Sequence, residues 1–405
     1  EWAGVLEDGE RRLGELAERF GANVVADAFR QLSERSERTA TERLRETFKP
    51  GSYQFADAVD HDGQGNGPYR LAMKLSVDDN GVVLDFSDSD DQAPGPINYL
   101  VNPAVPRAML GMYLLAGDPT LFLNAGAGRA IDEVVLREGS VLQPTWPAPL
   151  GQRGLTMMRL LSSTMGLVNA AGGESQAANC AYVIYFARGV GDDGNTFLMS
   201  DGVGVGYGAR PYADGINAVY YVAQENYPAE MMEQTYPARL RAYGIHRDSG
   251  GPGRWRGGCG VVREIELLAP EATFAIRIDG VEKPAWGVKG GKCGGAGRAV
   301  VNLGTPQERE LDPFSDGNVL KRGDILRLET GGGGGWGHPY DREPELVLAD
   351  VLADFVSREA ALEDYGVILS ADGESVDAEA TEKQREDRPP VDGLFHRGGY
   401  RDILE

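Results

Sequence analysis

Cysteine and histidine are scarce in this 405-residue sequence, which contains 3 cysteines and 4 histidines. Cys180, Cys259 and Cys293 lie far apart and form no CxxC pair, so the sequence indicates no disulfide framework. The histidines show no HxH or HExxH spacing, so no metal site is indicated within this sequence. Because the first residues form a charged helical segment instead of a signal peptide, and the cysteines are unpaired, we expect a cytoplasmic protein.

Several other patterns are also missing. No apolar run approaches the ~18 residues that cross a bilayer, which argues against a membrane protein. The sequence has no GxSxG motif, and no Gly-Lys-Ser/Thr follows any glycine run, so neither a serine hydrolase nor a Walker nucleotide site is indicated. The net charge of −22 argues against a nucleic-acid partner, whose phosphates would be repelled. The charge supports solubility but identifies no substrate.

Glycine is abundant: 56 of 405 residues, about 14%, which is roughly twice its average use. Because helical and strand patterns interleave with these glycines, we predict an α+β fold that is mixed, β-rich and glycine-rich, with helical segments at both ends and several subdomains. The predicted segments are a helical segment (1–50), a hairpin-containing α/β region (51–155), a central glycine-rich region expected to form the catalytic core (156–260), a sandwich-like β unit (261–330), a glycine loop with a helical pair (331–370) and an acidic flexible tail (371–405).

Some elements are defined by clear local signals. Apolar residues near one helical face predict a first helix ending at Gly21, and a second helix follows over about 23–47. Alternating apolar residues on both sides of Asn80-Gly81 predict a hairpin with a type I′ turn. Pro344 is placed to begin a helix, and Ser357 to cap the next one.

The most conspicuous segment is a run of five glycines followed by Trp336, Gly337 and His338. The run comprises Gly331, Gly332, Gly333, Gly334 and Gly335. Successive glycine N–H groups can bind an oxyanion or a phosphate, so these residues and Trp336 are candidates for binding an anionic intermediate. The structural alternative, which glycine by itself favours, is a crossing at which two backbones touch.

A second segment, residues 247–258, combines arginines with glycines and small polar residues. Its candidate binding residues are Arg247, Asp248, Ser249, Arg254 and Arg256. Guanidinium groups beside free amides suit an anionic intermediate. A structural turn held by Arg–Asp pairs explains the same residues equally well.

Asp60-His61-Asp62-Gly63 begins like a calcium-binding loop. However, Leu71 occupies the position at which such a loop needs a bidentate glutamate, so calcium binding is not indicated. His61 and Asp62 remain weak candidates for metal ligands, and a solvated turn is the favoured interpretation.

Two motifs carry a resemblance to a known family. Thr330 to Glu345, together with Asp350-Val351, Phe355 to Ser357 and Asp364 to Val367, resembles the closing signature of the hydantoinase B/oxoprolinase family. Arg247 to Gly251, Arg256 to Gly258 and Pro284 to Gly287 are similar to further parts of it. The resemblance runs from the first residue to about Leu369. It departs from the family at 279–283, where members often carry arginines, and that change is expected to alter the substrate pocket.

The resemblance implies the B-type subunit of an ATP-dependent enzyme. An A-type partner subunit would bind ATP and phosphorylate a substrate carbonyl, and this chain would hold the anionic product in a hetero-oligomer. His338, Asp341 and Glu174 are the candidate catalytic residues. The family's N-terminal His and Asp motif, implicated in binding a divalent metal in some members, is expected to precede Glu1.

Three functions compatible with the resemblance remain open. The first is hydrolysis of a cyclic amide such as a hydantoin, 5-oxoproline or a lactam. The second is carboxylation of a ketone such as acetone or acetophenone. The third is a non-catalytic scaffold role within the complex.

Overall fold

The computed structural model describes residues 2–115, 120, 121, 123–181, 183–220, 226–391 and 393–400. The helices are α1 (Trp2–Phe20), α2 (Ala22–Thr47), α3 (Ala104–Leu115), α4 (Ala125–Gly128), α5 (Arg153–Ala170), α6 (Ala229–Thr235), α7 (Pro344–Leu352), α8 (Arg358–Glu363) and α9 (Ala378–Glu386). The strands are β1 (Gly51–Val59), β2 (Tyr69–Asp78), β3 (Gly81–Asp85), β4 (Glu133–Val135), β5 (Val183–Val190), β6 (Thr196–Gly202), β7 (Ala238–Ile245), β8 (Val261–Leu267), β9 (Glu271–Ile278), β10 (Gly287–Val288), β11 (Arg298–Val301), β12 (Arg309–Leu311), β13 (Phe314–Lys321), β14 (Ile325–Glu329) and β15 (Phe395–His396).

The mixed α+β class is confirmed, and so are the elements with the clearest local signals. The predicted hairpin pairs β2 with β3 in antiparallel register, with Asp78 opposite Gly81. Pro344 is the first residue of α7, and the Ser357 hydroxyl accepts the Ala360 N–H at the start of α8. None of the described helices is both long and apolar enough to cross a membrane.

The chain divides into two compact units, each built from separate stretches of sequence. The first contains Glu1–Tyr53, Lys74–Asp85 and Val101–Val135, and the second contains the remainder. In the first unit, α2, α3 and α4 pack together around Leu44 and Leu110. A Cβ added to Gly126 would lie 2.0 Å from the Ser33 carbonyl oxygen, so only glycine permits this approach of α4 to α2.

The second unit is built on two antiparallel sheets. One has the strand order β12-β11-β14-β8-β7, and the other the order β13-β9-β5-β6. Their inward residues, such as Tyr185, Phe274, Ile265 and Leu328, are buried in one shared hydrophobic core. The sandwich-like unit predicted for 261–330 therefore also includes β5, β6 and β7, which come from earlier in the chain.

The prediction of a flexible tail over 371–405 is wrong for its described part. Asp377 caps α9 by accepting the Ala380 N–H. β15 pairs with β10, and Arg397 and Tyr400 are buried. The acidic, polar composition suggested a chain with too little apolar surface to fold, but a few aromatic residues at 395–400 suffice because they enter an existing core: Phe395 packs edge-on against Trp286 and Phe55.

Candidate functional site

The glycine run after β14 lies in the interior of the second unit, and its amides are occupied. Gly332, Gly333, Gly334 and Gly335 donate to the carbonyl oxygens of Gly295, Gly258, Ala178 and Lys292 at 2.9–3.1 Å. The Gly331 N–H faces the Cys180 sulfur. No amide of the run is free for an anion, so the prediction that Gly331–Gly335 bind an intermediate is wrong.

The alternative, a crossing of backbones, describes this region. A Cβ on Gly333 would lie 2.2 Å from the Tyr207 carbonyl carbon, and one on Gly334 would lie 1.9 Å from the Trp286 carbonyl oxygen. Trp336, predicted to bind the intermediate with them, exchanges backbone hydrogen bonds with Trp255 at 3.0 Å in each direction. The run is therefore a structural centre at which segments from four parts of the sequence meet.

Residues 247–256 likewise have structural contacts, most of them with residues 350–357. Arg256 is buried and forms an ion pair with Asp350 at 3.2 Å, and the exposed Arg247 pairs with Asp354 at 2.8 Å. The Asp248 carboxylate accepts the Ser357 N–H, and the buried Ser249 hydroxyl accepts the Gly260 N–H.

Arg254, also predicted to bind the anion, is exposed, with its guanidinium 5.9 Å from the centre of the Trp255 ring. The structural explanation accounts for the contacts of Arg247, Asp248, Ser249 and Arg256, whereas the Arg254 guanidinium stays exposed. Arg256 is buried, and its guanidinium contacts Asp350, the Asn217 side chain and the Gly257 carbonyl oxygen.

A backbone nest for a carboxylate does exist, at a place that sequence reasoning missed. Asp60 Oδ2 accepts the N–H groups of Gly280, Val281 and Glu282, and its Oδ1 accepts that of Lys283, all at 2.8–3.1 Å. Successive N–H groups converge on an anion here as expected for such a nest. The segment 279–283, which was expected to alter a substrate pocket, instead binds a carboxylate of its own chain.

This nest adjoins a buried cluster of charges around Arg159. The Arg159 guanidinium lies 2.7 Å from Asp279 and 3.7 Å from both Asp57 and Asp60, and all four side chains are buried. Burial raises the pKa of Asp279 to about 6, although the Arg159 charge acts to lower it. Three carboxylates thus share one cation. Asp60 and the segment 279–283 attracted attention for other reasons, but no local motif linked the three carboxylates to one another or to Arg159.

The predicted metal candidates have structural roles. Asp62 Oδ1 accepts the Gln64 and Asn66 N–H groups, and its Oδ2 accepts the Gly95 N–H. Burial acts to raise the Asp62 pKa, but these donors outweigh it and hold the pKa below its usual value. His61 packs edge-on against Phe314. Across the described part of the chain, no three His, Cys, Asp or Glu residues are arranged to hold a metal ion.

His338, one of the three predicted catalytic residues, lines a cavity. This cavity of about 190 Å³ is lined by Gly290, Lys292, His338, Pro339, Tyr340, Asp364, Pro389, Pro390, Val391, Gly393 and His396. We call it the 292/338 cavity. Residues 389–391, 393 and 396 of this lining belong to the segment that was predicted to be flexible. Asp341 and Glu174 are not among its lining residues: Asp341 pairs with Arg388 at 2.6 Å and Glu174 with Lys289 at 3.2 Å.

The His338 ring is fixed at both nitrogens. Nδ1 accepts the Tyr340 N–H at 3.0 Å, so Nε2 carries the proton and donates it to the Pro389 carbonyl oxygen at 3.0 Å. Burial lowers the His338 pKa, which keeps the ring neutral at neutral pH. In this arrangement His338 holds Tyr340 and Pro389, two of the residues that line the cavity, in place.

Lys292 gives the cavity its cation. The ammonium lies 2.7 Å from Asp364 Oδ1, and both side chains are about one-third exposed, at 38% and 31%. The backbone of Lys292 is held by the crossing, since its carbonyl accepts from Gly335 and its N–H donates to Pro252. His396, from the C-terminal segment, accepts the Cys293 N–H through Nδ1 at 3.1 Å. A compact ammonium beside a carboxylate, in a cavity that His338 and His396 also line, can bind a small anion.

Comparison with known proteins connects this architecture to a family. A family model described as hydantoinase B/oxoprolinase matches residues 3–339. The putative B-type component of a D-/L-hydantoinase from a Pseudomonas species is 28% identical over 400 residues, covering 93% of this chain and 65% of that protein. The beta subunit of caprolactamase from Pseudomonas jessenii is 27% identical over 407 residues, covering 94% and 67%. The chain thus spans less than two thirds of the length of the first of these relatives.

Solved structures share the fold. The crystal structure of ATP-dependent caprolactamase from Pseudomonas jessenii superposes with a TM-score of 0.78 at 23% identity, covering 95% of this chain and 68% of that chain. Nucleotide-free acetone carboxylase gives a TM-score of 0.77 at 18% identity, covering 93% and 58%. At these identities the likeness concerns the fold alone. The family match over most of the sequence shows that the chain belongs to the hydantoinase B/oxoprolinase family.

Proposed function

We propose that this chain acts within the B-type subunit of an ATP-dependent hydrolase of cyclic amides. The observation that carries the proposal is its similarity, across more than nine tenths of the chain, to a protein named as the B-type component of a hydantoinase and to one named as the beta component of a caprolactamase. The names of both relatives refer to the opening of a ring amide, and both are named as subunits. A further relative, 27% identical over 338 residues, is named 5-oxoprolinase 1.

A ring amide resists water because its carbonyl carbon is a poor electrophile. We propose that ATP is bound by an A-type partner subunit, which transfers the terminal phosphoryl group to the amide oxygen. One water then adds at the activated carbon as the ring C–N bond breaks, and a second water takes up the phosphoryl group. The chemistry needs a site that holds a phosphorylated anion in place while water reacts.

The 292/338 cavity supplies the groups for this task. The Lys292 ammonium is the cation for the anionic oxygens, and Asp364 positions it. Because Asp364 neutralises the ammonium when the cavity is empty, an entering anion must share Lys292 with it. The neutral His338 ring and Tyr340 line the cavity, and its volume of about 190 Å³ suits a small ring. In this proposal the Lys292 ammonium binds the anionic intermediate, a role that the sequence had suggested for the backbone amides of Gly331–Gly335.

We assign ATP binding to the partner, since the amides of the 331–335 run are occupied by groups of this chain. A divalent metal, expected from some family members, is a proposal for the complete B-type protein only. The residues described in this chain offer it no set of ligands, and no step assigned here depends on it.

The experiment is to express this chain in its complete B-type protein with the A-type partner and to measure ADP release and ring-opened product. Hydantoin, 5-oxoproline and caprolactam are the test substrates. The proposal predicts ADP release coupled to ring opening of at least one of them. ADP release only with acetone or acetophenone and bicarbonate would replace it by a ketone carboxylase, and formation of the complex without any turnover would support a scaffold.

A further inference from the structure

The 292/338 cavity offers a ligand one cation, and that cation already has a counter-ion. Apart from two histidines, Lys292 and Asp364 are the charged side chains among the described residues of its lining. The ammonium and the carboxylate lie 2.7 Å apart. Both side chains remain about one-third exposed, at 38% and 31%, so a ligand in the cavity can contact either group.

The two imidazoles of the lining add no positive charge. Burial lowers the pKa of His338, and the charges of Arg388 and Lys292 act in the same direction, so this ring is neutral at neutral pH. His396 accepts the Cys293 N–H through Nδ1 at 3.1 Å, which requires that nitrogen to be without a proton. In this arrangement neither ring can serve as a cation, and the charges of the described lining cancel.

The cations that flank the lining along the chain are paired as well. Lys289 Nζ lies 3.2 Å from a carboxylate oxygen of Glu174, and the Arg388 guanidinium lies 2.6 Å from that of Asp341. These four residues do not belong to the lining of the cavity. Among the described lining residues, Lys292 alone therefore presents a positive charge to a ligand.

A single ammonium limits the negative charge that a substrate can bring. A phosphoryl group carries a charge of roughly −1.5 to −2 at neutral pH, and the proposed function assigns it to Lys292. A carboxylate on the same ring would be a further anion beside Asp364, and two like charges about 5 Å apart repel each other appreciably at an effective dielectric constant of about 20. That carboxylate would also lose water without gaining a cation.

We propose that Asp364 makes this site selective for ring amides that carry no carboxylate, because it occupies the ammonium that a substrate carboxylate would need. The inference rests on the proposed function, which supplies the ring amide and its phosphorylation. The phosphoryl group, with its larger charge, can share Lys292 with Asp364. A carboxylate present in addition finds no other cation among the described residues of the lining.

The test compares two substrates that differ in charge but hardly in shape, in the complete enzyme with its partner. 5-Oxoproline carries a carboxylate, and 5-oxoprolinamide carries a carboxamide in its place. If the enzyme opens only another ring, the pair is the acid and the amide built on that ring, such as hydantoin-5-acetic acid and its amide. We expect kcat/KM for ring opening to be at least about tenfold higher for the amide than for the acid.

Asp364→Asn removes the negative charge and keeps the size of the side chain. It should bring kcat/KM for the acid and the amide to within about threefold of each other, even where both values fall because Lys292 is held less firmly. A purely structural role of Asp364 would lower both values and leave their ratio unchanged. Asp192→Asn makes the same change in an exposed pair with Arg322 and should keep the wild-type ratio.

Ring opening of the acid by the wild-type enzyme as efficiently as the amide, or more so, would overturn the inference and leave the proposed function standing. A preference for the amide that persists unchanged in Asp364→Asn would also overturn it. If that preference weakened with added salt, the overall charge of −22 would be its cause. Failure to couple ADP release to the opening of any cyclic amide would overturn the proposed function, and the inference with it.

Discussion

The His338 ring donates from Nε2 to the carbonyl oxygen of Pro389 at 3.0 Å and so ties the turn after the glycine run to residues 389–391. Replacing His338 by Ala should release that segment while the glycine crossing stays intact. We expect amide hydrogen exchange at Val391 and in 393–396 to become faster, because local opening no longer breaks this bond. His61→Ala, which alters a ring elsewhere in the same unit, is the control. Equal protection in wild type and His338→Ala would contradict this role.

Gly333→Ala should destabilise the second unit by more than about 3 kcal/mol or prevent soluble expression, because its Cβ would lie 2.2 Å from backbone of Tyr207. Backbone at a crossing cannot move aside as a side chain can. Gly244→Ala in β7 is the matched control, since a Cβ there meets nothing within 4 Å. Urea denaturation of the two variants measures the difference. A Gly333→Ala protein as stable as Gly244→Ala would show that the crossing is looser than described.

Ionisation of Asp279 should lower the free energy of unfolding as the pH rises from about 4 to above 6. Its pKa of about 6 in the folded protein exceeds the usual 3.8, so between these values the folded state retains a proton that the unfolded chain has lost. The contribution of protonated Asp279 to the free energy of unfolding is fully present below about pH 4 and is lost as the pH rises through 6. It amounts to about 3 kcal/mol at most. Asp279→Asn should remove this part of the pH dependence in denaturation measured from pH 4 to pH 7.

Asp62 should change the free energy of unfolding with pH in the direction opposite to Asp279. Its donors hold its pKa below 3.8 in the folded protein, so it stabilises at pH above that value and the contribution is lost as pH falls. Asp62→Asn should therefore lower stability at pH 7 more than at pH 3. The account of Asp279 fails if Asp279→Asn and wild type show parallel pH profiles.

Arg256→Ala should reduce the free energy of unfolding by about 3 kcal/mol or more, because it leaves Asp350 with one of its two buried cations. Arg247→Ala removes an exposed pair and should cost less than about 1 kcal/mol. Thermal unfolding compares them. If Arg256→Ala melted like wild type but lost turnover, Arg256 would be a binding residue after all.

Local signals in the sequence were sufficient for the elements they govern. The Asn80-Gly81 turn, the proline at the start of α7 and the Ser357 cap act through neighbouring atoms, so their predictions are confirmed. The family motif at 330–345 was also recognisable. The sandwich was underestimated because β5 pairs with β9, which lies far along the sequence, and brings β6 into the same sheet.

The site was harder to predict because its groups act through distant contacts. Five glycines indicate either free amides or a backbone crossing, and the choice depends on carbonyl groups of Ala178, Gly258, Lys292 and Gly295, which lie far away in the sequence. Arg159 and its three carboxylates are spread along the sequence from Asp57 to Asp279, so no spacing rule links them. Lys292 and His396 stand in segments whose composition suggests only loops.

The most direct test of the proposed site compares Lys292→Met with Lys289→Met in the complete enzyme with its partner. Both substitutions remove an ammonium, but Lys289 pairs with the exposed Glu174 outside the cavity lining. We predict that Lys292→Met lowers the rate of ring opening by about a hundredfold or more, with normal complex formation, while Lys289→Met stays within about threefold of wild type. Ring opening by Lys292→Met at the wild-type rate would contradict the assignment of the 292/338 cavity as the active site.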